Sequence, residues 1–488
     1  MSKKIKYKNP LLLFPTYQGK DIHRQLALWE AGTIRVLPTP VNPAPCTYIA
    51  RTAMEIAEVL YRENLLCFVT DILSLPVEEF LQITDINSDK KGNPISIRLK
   101  YKGGTTRWIY SCKGWGYQQV TMSFLKTLEK THKLMGVGTV PSPGALGMRR
   151  LRATWKEQFG DEWYQHRHQR PTACCCSQIM KRGCGGRSDL LTDQQHFAML
   201  IELDMKNAYG AAQARELPTG KVGRFIDGLT SKCKIWVAEV IVTITEKLIY
   251  GLFPVKREIN GETVTSYPTE PGEYPAWLWN NQVELCERHG LSVKVGDGWG
   301  WTETTTDCRK FVKIMEKLRD EAPPEVASMF KLCLVACIGY QGMSSETYTL
   351  SLDGEDGKDI RVCSPGLVSE YFVKSKKDYR PKSMPHWMWY ILVQVQCWLT
   401  EEALKWMKQE MLVATNTDSV LLIEKAESHL DGYHSKLETR QCMSLPSGAW
   451  RKRPLYNATL PALRHLQATT EEGEKIDHRP GKPRNLRN

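Results

Sequence analysis

Two aspartates in this chain stand where carboxylates can do metal chemistry. Asp204 closes the apolar run Met199-Leu-Ile-Glu-Leu-Asp204 and opens the turn Met205-Lys-Asn-Ala-Tyr209-Gly. Asp418 lies at the tip of a second apolar hairpin, Met411–Ile423, inside Thr415-Asn416-Thr417-Asp418-Ser419. Carboxylates at strand ends far apart in sequence can meet on one sheet and hold two divalent ions roughly 3.5–4 Å apart. Such ions activate a hydroxyl and stabilise a leaving pyrophosphate, which is phosphoryl-transfer chemistry. An aspartate in a turn is commonplace, so the reading depends on what lies between the two. There the chain places Phe330-Lys331-Leu-Cys-Leu-Val-Ala-Cys-Ile338-Gly339-Tyr340, a helix carrying one lysine, and just upstream a helix carrying Arg319. The β and γ phosphates of a nucleoside triphosphate need such cations. A lysine on a helix is most often merely solvated; the order carboxylate, cationic helix, carboxylate is what marks this one.

The elements that must position these groups follow from the spacing of apolar residues. Residues 196–206 read as a strand, 233–247 as a long alternating strand, and Met411–Ile423 as a strand pair. Asp307–Glu321 and Glu325–Ile338 read as helices joined by Ala322-Pro323-Pro324, Trp387–Glu410 as a long helix, and Trp277–His289 as an amphipathic one. Nearer the N-terminus, Leu11–Phe14, Leu66–Val69, Ile95–Lys100 and Arg107–Ser111 are strand-like. Ala53–Tyr61, Val77–Ile83 and Val120–Leu134 have helical spacing. The loop Gly136–Gly147, rich in Gly and Pro, marks a boundary.

A chain of 488 residues suggests roughly two to four domains. With 42% hydrophobic and 25% charged residues it is globular rather than disordered. The formal net charge of +12 favours a polyanion as partner. Part of that charge is concentrated: Arg149, Arg150, Arg152, Lys156, Arg167, Arg170, Lys181, Arg182 and Arg187 meet only Glu157, Asp161 and Glu162, with Trp155, Trp163 and Tyr164 interleaved. Cations neutralise phosphates and aromatic faces stack on unpaired bases. The longest apolar run, Trp387–Leu399, is broken by Gln and falls short of the about 20 residues a membrane span requires. The basic start, Met1–Pro15, has too short an apolar core for a secretory signal. Fifteen cysteines without regular spacing point to reduced thiols and an intracellular, cytoplasmic location in a host cell. Cys174, Cys175, Cys176 and Cys184 near His166 and His168 lack the C-x-x-C spacing of a zinc site, and zinc is not expected there.

Taken together, these residues resemble the family B DNA polymerases, most closely the protein-primed branch of phages, linear plasmids and related viruses. Asp204-Met-Lys-Asn-Ala-Tyr209-Gly resembles the first palm motif, D-x-x-S-L-Y-P; Lys331 to Gly339 resembles the fingers motif, K-x-x-x-N-S-x-Y-G. Thr415 to Ser419 resembles the second palm motif, Y-x-D-T-D-S, and Gly183-Cys-Gly185-Gly186-Arg187 the Y-x-G-G-R linker that precedes the palm. The match spans roughly residues 180–425, with the four motifs in the family's order. The resemblance implies a multidomain α/β and α+β chain, a right hand behind a ribonuclease-H-like domain of 3′–5′ exonuclease type. Its parts are expected at 1–147 (exonuclease-type), 148–195 (basic linker), 196–302 and 384–425 (palm), 303–343 (fingers), 344–383 (insertion) and 426–488 (small thumb and basic tail). It implies DNA-directed DNA synthesis on template and primer from deoxynucleoside triphosphates, with two magnesium ions, or manganese in their place. The branch further implies priming by a terminal protein. Asp204, Asp418 and the carbonyl of Met205 are expected to bind metal, Tyr209 to lie under the sugar, and Lys331 and Arg319 to grip the triphosphate. Gly339 leaves room beside the nascent base pair. Gly185, Gly186 and Arg187 let the backbone approach the template, and Arg453 with Tyr456 is the local candidate for the thumb's primer contact.

This chain also departs from the pattern. Asn416 replaces the first Asp of the second palm motif, beside Thr417, leaving one carboxylate fewer. Val335, Ala336 and Ile338 replace Asn, Ser and Tyr, and Ala208 and Gly210 replace Leu and Pro. In the N-terminal region the strand at Leu11 has no acid where the family shows Asp-x-Glu, Leu66–Asp71 has one, and Arg107–Ser111 has none. A nuclease needs several carboxylates for its metals, so the fold is expected to persist without proofreading. The insertion Tyr340–Ser383, with Gly354-Glu-Asp-Gly357 as a hairpin turn, falls where protein-primed relatives carry a strand-displacing hairpin. Two other readings stay open: a template-independent or lesion-tolerant nucleotidyl transferase, and a decayed polymerase kept as a DNA-binding factor.

Overall fold

The computed structural model describes, isolated positions aside, residues 143–160, 171–226, 232–259, 262–342, 384–435 and 447–478. Of the remainder it describes backbone strands between 11 and 111, helical turns within 127–137, and strands at 344–351 and 372–379. Two compact units emerge. One is formed by the described parts of Met1–Leu146 and Met343–Pro381, the other by those of Gly147–Gly342 and Lys382–Lys482.

In the first unit, β1 (Leu11–Pro15), β2 (Leu26–Glu30), β3 (Thr33–Leu37), β4 (Thr47–Ile49), β5 (Leu65–Val69), β6 (Ile83–Ser88), β7 (Pro94–Lys100) and β8 (Thr106–Ser111) form one sheet. Its order is β4-β3-β2-β1-β5-β8-β7-β6, antiparallel except where β5 meets β8. The four strands expected from sequence are all present. Of the expected helices, Val77–Ile83 lies outside the described residues apart from its last position, which begins β6, and only Glu58 of Ala53–Tyr61 is described, as helix.

The second unit continues with helices α1 (Pro143–Phe159) and α2 (Ala173–Arg182), strands β9 (Ser188–Leu190) and β10 (His196–Met205), and helix α3 (Ala208–Gln213). Then come β11 (Leu217–Phe225), β12 (Ile235–Ile244), a hairpin of β13 (Val255–Ile259) with β14 (Glu262–Ser266), and β15 (Gly272–Trp279). Next are α4 (Asn280–Arg288), β16 (Ser292–Thr305), α5 (Arg309–Glu321) and α6 (Pro324–Gln341). Strands β17 (Ser344–Ser351) and β18 (Phe372–Tyr379) form an antiparallel hairpin in the first unit; the 354–357 turn lies outside the described residues. The chain then returns through α7 (Pro385–Met407), β19 (Leu412–Asn416), β20 (Ser419–Ile423), β21 (His434–Ser435), β22 (Trp450–Ala462), β23 (His465–Thr470) and β24 (Lys475–His478).

The central sheet has the order β24-β23-β22-β10-β20-β19-β9. Because strand side chains alternate, β10 divides its residues between two cores. Ile201 and Leu203 join Val420 and Leu422 against Leu399, Ala403 and Trp406 of α7. Leu200 joins Leu421 on the other face, under Leu455 and Leu466 of the C-terminal strands. Each such buried side chain contributes roughly 1.5–3 kcal/mol, which pins the register and therefore the strand ends. A smaller sheet, β11-β16-β12-β15, packs alongside. The tryptophans at the start of α7 are core: Trp387 is fully buried and donates to the Pro218 carbonyl at 2.6 Å, and His386 stacks on Trp301.

The structure corrects one helix. Of Trp277–His289, the first three residues complete β15, with Trp277 opposite Glu239 of β12. The helix starts at Asn280, where Gln282 Oε1 accepts from the Trp279 N–H at 3.1 Å. Trp, Leu and Trp suit a strand as well as a helix, and pairing with β12 decides between them.

Candidate active site

The antiparallel pairing of β10 with β20 sets Asp204 directly opposite Ser419, the neighbour of Asp418. The Met205 N–H donates to the Asp418 carbonyl at 3.1 Å, closing the ladder. Two aspartates far apart in sequence thus reach adjoining positions at one end of the sheet. Asp418 sits in a two-residue turn whose first member, Thr417, has φ 60°. A β-branched residue in left-handed backbone is strained and persists only where its surroundings hold it.

Those surroundings are the loop before β9. The Thr417 N–H donates to the Arg187 carbonyl at 2.7 Å. A Cβ on Gly186 would stand 2.8 Å from Thr417 Cγ2, so the loop approaches this closely only because residue 186 has no side chain. Gly186→Ala is therefore expected to displace the Asp418 turn. A displacement near 1 Å costs up to about 10²-fold in rate; primer extension with thermal unfolding in parallel checks this, the melting point staying within a few degrees.

Arg187 itself is 3% exposed. Its guanidinium donates to Asp189 Oδ2 at 2.6 Å and to the Gly251 carbonyl at 2.5 Å. It is sandwiched by the rings of Tyr250 and Tyr267, 3.8 and 3.9 Å from their centroids. Placed this way it ties the loop to Asp189 and Gly251. Gly185 is exposed beside it.

Asp204 forms an ion pair with Arg451, which the register places directly opposite on β22. Two positions along the same face, Glu202 pairs with Arg453 at 2.6 Å. Tyr456 is exposed and an odd number of positions from Arg453, hence on the other face of the strand. The structure does not bring Arg453 and Tyr456 together; the extra spacer residue turns them apart.

Tyr209 opens α3, which packs against both α5 and α6. Burial raises its phenol pKa, and the nearby Asp418 carboxylate raises it further. On α6 the motif positions Lys331, Val335 and Gly339 recur every four residues, and all three lie on the part of the helix not packed into the core. Lys331 and Gly339 are exposed, and a Cβ at 339 would meet nothing within 4 Å. Arg319 of α5 bonds Asp320 at 3.0 Å. It also lies near the buried Lys206, whose pKa is lowered by burial and by the cations Arg319 and Arg451.

Asp204 and Asp418 are hard oxygen donors of the kind magnesium takes. Magnesium is held by one or two carboxylates together with substrate phosphates rather than by a closed protein cage. Among the described residues no three His, Cys, Asp or Glu cluster. The pair therefore fits an open site and not an enclosed one. Cys175 and Cys176 are buried and Cys174 is exposed, while His166 and His168 lie outside the described residues.

No protein-family model matches the sequence, and no curated protein matches it. Among solved structures the chain is similar to phi29 DNA polymerase in an orthorhombic crystal form, with a TM-score of 0.64 and 12% identity. That similarity covers 98% of this chain and 90% of the other. It is similar to phi29 DNA polymerase complexed with primer-template DNA and incoming nucleotide substrates, with a TM-score of 0.62, 11% identity, and coverage of 98% and 91%. The complex of phi29 DNA polymerase with single-stranded DNA gives 0.63 at 12% identity.

The chain has the fold of phi29 DNA polymerase. That mixed α/β multidomain architecture is the one the four degenerate motifs imply. Two polar groups of the site, Glu316 and Arg464, carry no signal in the motifs, and Arg451, part of a basic cluster in the sequence, gains its role only by pairing with Asp204. Glu316 of α5 accepts from Asn207 Nδ2 at 2.6 Å and from the Ser447 hydroxyl, tying a helix of the expected fingers to the turn after Asp204. Its spacing of three from Arg319 on the same helix was the available signal. Asn207 has φ 50°, and its amide fills the space a side chain at Gly210 would need. No helix of the described residues is long and apolar enough to cross a membrane.

Proposed function

We propose that this chain is a DNA-directed DNA polymerase that extends a primer 3′-hydroxyl with deoxynucleotides. The observation that carries the reading is the meeting of Asp204 and Asp418 on paired strands, in a phi29-polymerase fold whose solved relatives hold primer-template DNA. In this reading β10, β19 and β20 belong to the palm, α5 and α6 to the fingers, and the strands after 447 begin the thumb as a continuation of the palm sheet. The N-terminal sheet is the ribonuclease-H-like domain, and its acid-poor strands support loss of proofreading. Magnesium ions, or manganese, would be held by Asp204, Asp418 and the Met205 carbonyl, and would supply charge neutralisation at the hydroxyl and the phosphates.

The chain's own residues do the rest. Lys331 and Arg319 present cations to the triphosphate, Tyr209 supports the sugar and excludes a 2′-hydroxyl, and Gly339 leaves the base pair free of contact. Arg451 neutralises Asp204, the carboxylate that would hold metal. The +12 net charge favours DNA through phosphate contacts. Priming by a terminal protein rests on the branch resemblance alone.

Lys331→Ala is expected to raise the apparent KM for deoxynucleotides about 10- to 100-fold, the worth of a charge-assisted hydrogen bond. Because Lys331 is exposed, any contact it makes is worth at most about 1 kcal/mol to stability; steady-state primer extension with thermal unfolding in parallel checks both. One observation favours a second reading. Asn416 and the Arg451–Asp204 pair leave less free carboxylate than two ions use, as in a decayed polymerase retained for DNA binding. Primer extension with and without template, with deoxy- and ribonucleotides, in magnesium and in manganese, separates the readings. Binding without incorporation in either metal supports the second, and templated deoxynucleotide addition supports the first.

A further inference from the structure

The strands after 447 do not run off the edge of the sheet. Leu455 and Leu460 of β22 and Leu466 and Ala468 of β23 pack on Leu200 and Leu421, on the face that carries Glu202 and Asp204 further along. The hairpin therefore crosses that face, and its tip arrives at the opposite edge, at β9. Arg464 is the tip residue, exposed and with φ 63°, a conformation uncommon outside glycine. Its Nε donates to Ser188 Oγ at 2.9 Å and an Nη to the Gly186 carbonyl at 3.3 Å. Ser188 in turn donates to Asn416 Oδ1 at 3.4 Å, and Thr417 Oγ1 donates to the same oxygen at 3.3 Å. A serine hydroxyl has a single proton. With Arg464 donating to its oxygen, that proton is left to point at Asn416. The guanidinium is also close enough to Tyr209 to lower the phenol pKa, against the larger effects of burial and Asp418.

We propose that Arg464 is a positioning residue for the catalytic turn. It latches the hairpin tip to the Gly186–Ser188 loop and, through Ser188 and Asn416, holds Asn416–Asp418 in its strained geometry. Asn416 is what makes the latch useful. A carboxylate at that position would draw hydroxyl donors by its charge. A neutral amide does so more weakly, and a cation fixed behind Ser188 restores the orientation. The inference rests on the polymerase reading for its kinetic consequence but not for its structural one.

The experiment compares Arg464→Ala, Arg464→Lys, Ser188→Ala and the Arg464→Ala/Ser188→Ala pair in the full chain. It measures single-turnover incorporation, deoxynucleotide KM, DNA affinity against salt, and amide hydrogen exchange over 416–418. Arg464→Ala should slow incorporation about 10-fold, consistent with sub-ångström displacement of a reacting group, and speed exchange at 416–418. The KM and the salt slope of DNA binding should stay within about twofold, because a latch contacts neither ligand. Arg464→Lys should recover part of the rate, and the double variant should be no slower than the worse single one, since both remove the same chain of bonds. Arg464→Gly, which relieves the positive φ, should match the alanine variant; a full recovery of rate would show that backbone strain and not the side chain was at work, overturning the proposal. A drop in DNA affinity and salt slope with an unchanged rate would make Arg464 a phosphate contact and overturn it too, as would unchanged exchange at 416–418. If the unaltered protein incorporates nothing while Arg464→Ala still loosens 416–418, the polymerase reading fails and the latch stands.

Discussion

Asp418→Ala is expected to abolish nucleotide incorporation, by about 10³-fold or more, while leaving DNA affinity within a few-fold of the starting protein. A metal-held carboxylate supplies several kcal/mol of transition-state stabilisation, and each 1.36 kcal/mol is about tenfold in rate. Asp418 lies in a turn already held by the Thr417–Arg187 and Met205–Asp418 backbone bonds, so its side chain can be removed without dismantling the hairpin. Asp204→Ala should abolish incorporation equally but differ in a second respect. It frees Arg451, its directly opposed partner, and removes a negative charge from the cleft. DNA affinity should then hold or rise, and its salt dependence steepen. Primer extension together with fluorescence anisotropy on a short duplex at several salt concentrations measures both. Incorporation persisting within tenfold in either variant would remove the two aspartates from the chemistry.

Arg187→Ala is expected to destabilise the protein by about 3–5 kcal/mol, the usual consequence of breaking a buried ion pair from one side. The guanidinium is almost wholly enclosed, and five groups meet it: the Asp189 carboxylate, the Gly251 carbonyl, the Thr400 hydroxyl and the rings of Tyr250 and Tyr267. Truncation strands Asp189, which then keeps only the Tyr250 hydroxyl at 2.6 Å and Thr415 Oγ1 at 3.1 Å. Arg187→Lys should recover little, because an ammonium cannot bond carboxylate and carbonyl while lying flat between two rings. Urea denaturation followed by tryptophan fluorescence gives the shift in midpoint at constant slope. A loss below 1 kcal/mol would show that the loop is held by other means, and that Arg187 is free to serve DNA as the motif comparison implies.

The parts of the site legible in the sequence are those carried by local pattern. Asp204 and Asp418 stand out because each ends an apolar run whose alternation specifies a strand, and a strand end is where a side chain leaves the core. Lys331, Val335 and Gly339 share a helix face through simple periodicity, and Pro323-Pro324 starts that helix because proline is tolerated in a first turn. Four degenerate motifs in order implied a fold that solved structures share at 12% identity, although no family model matches the sequence.

The rest depended on which strand lies beside which. Asp204 faces Arg451, and Glu202 faces Arg453, because cross-strand register, set by the alternating core on β10, selects those pairs. Arg187 carries the motif's arginine, yet its burial between two tyrosines follows from packing that no linear pattern encodes. Arg464 sits in an undistinguished Leu-Arg-His turn and gains its place only when the hairpin folds across the sheet to Ser188. Alternation and helical spacing are properties of neighbours along the chain; ion pairs, latches and the choice between solvent and core are properties of neighbours in space, and here they were decided by which strands the sheet sets side by side.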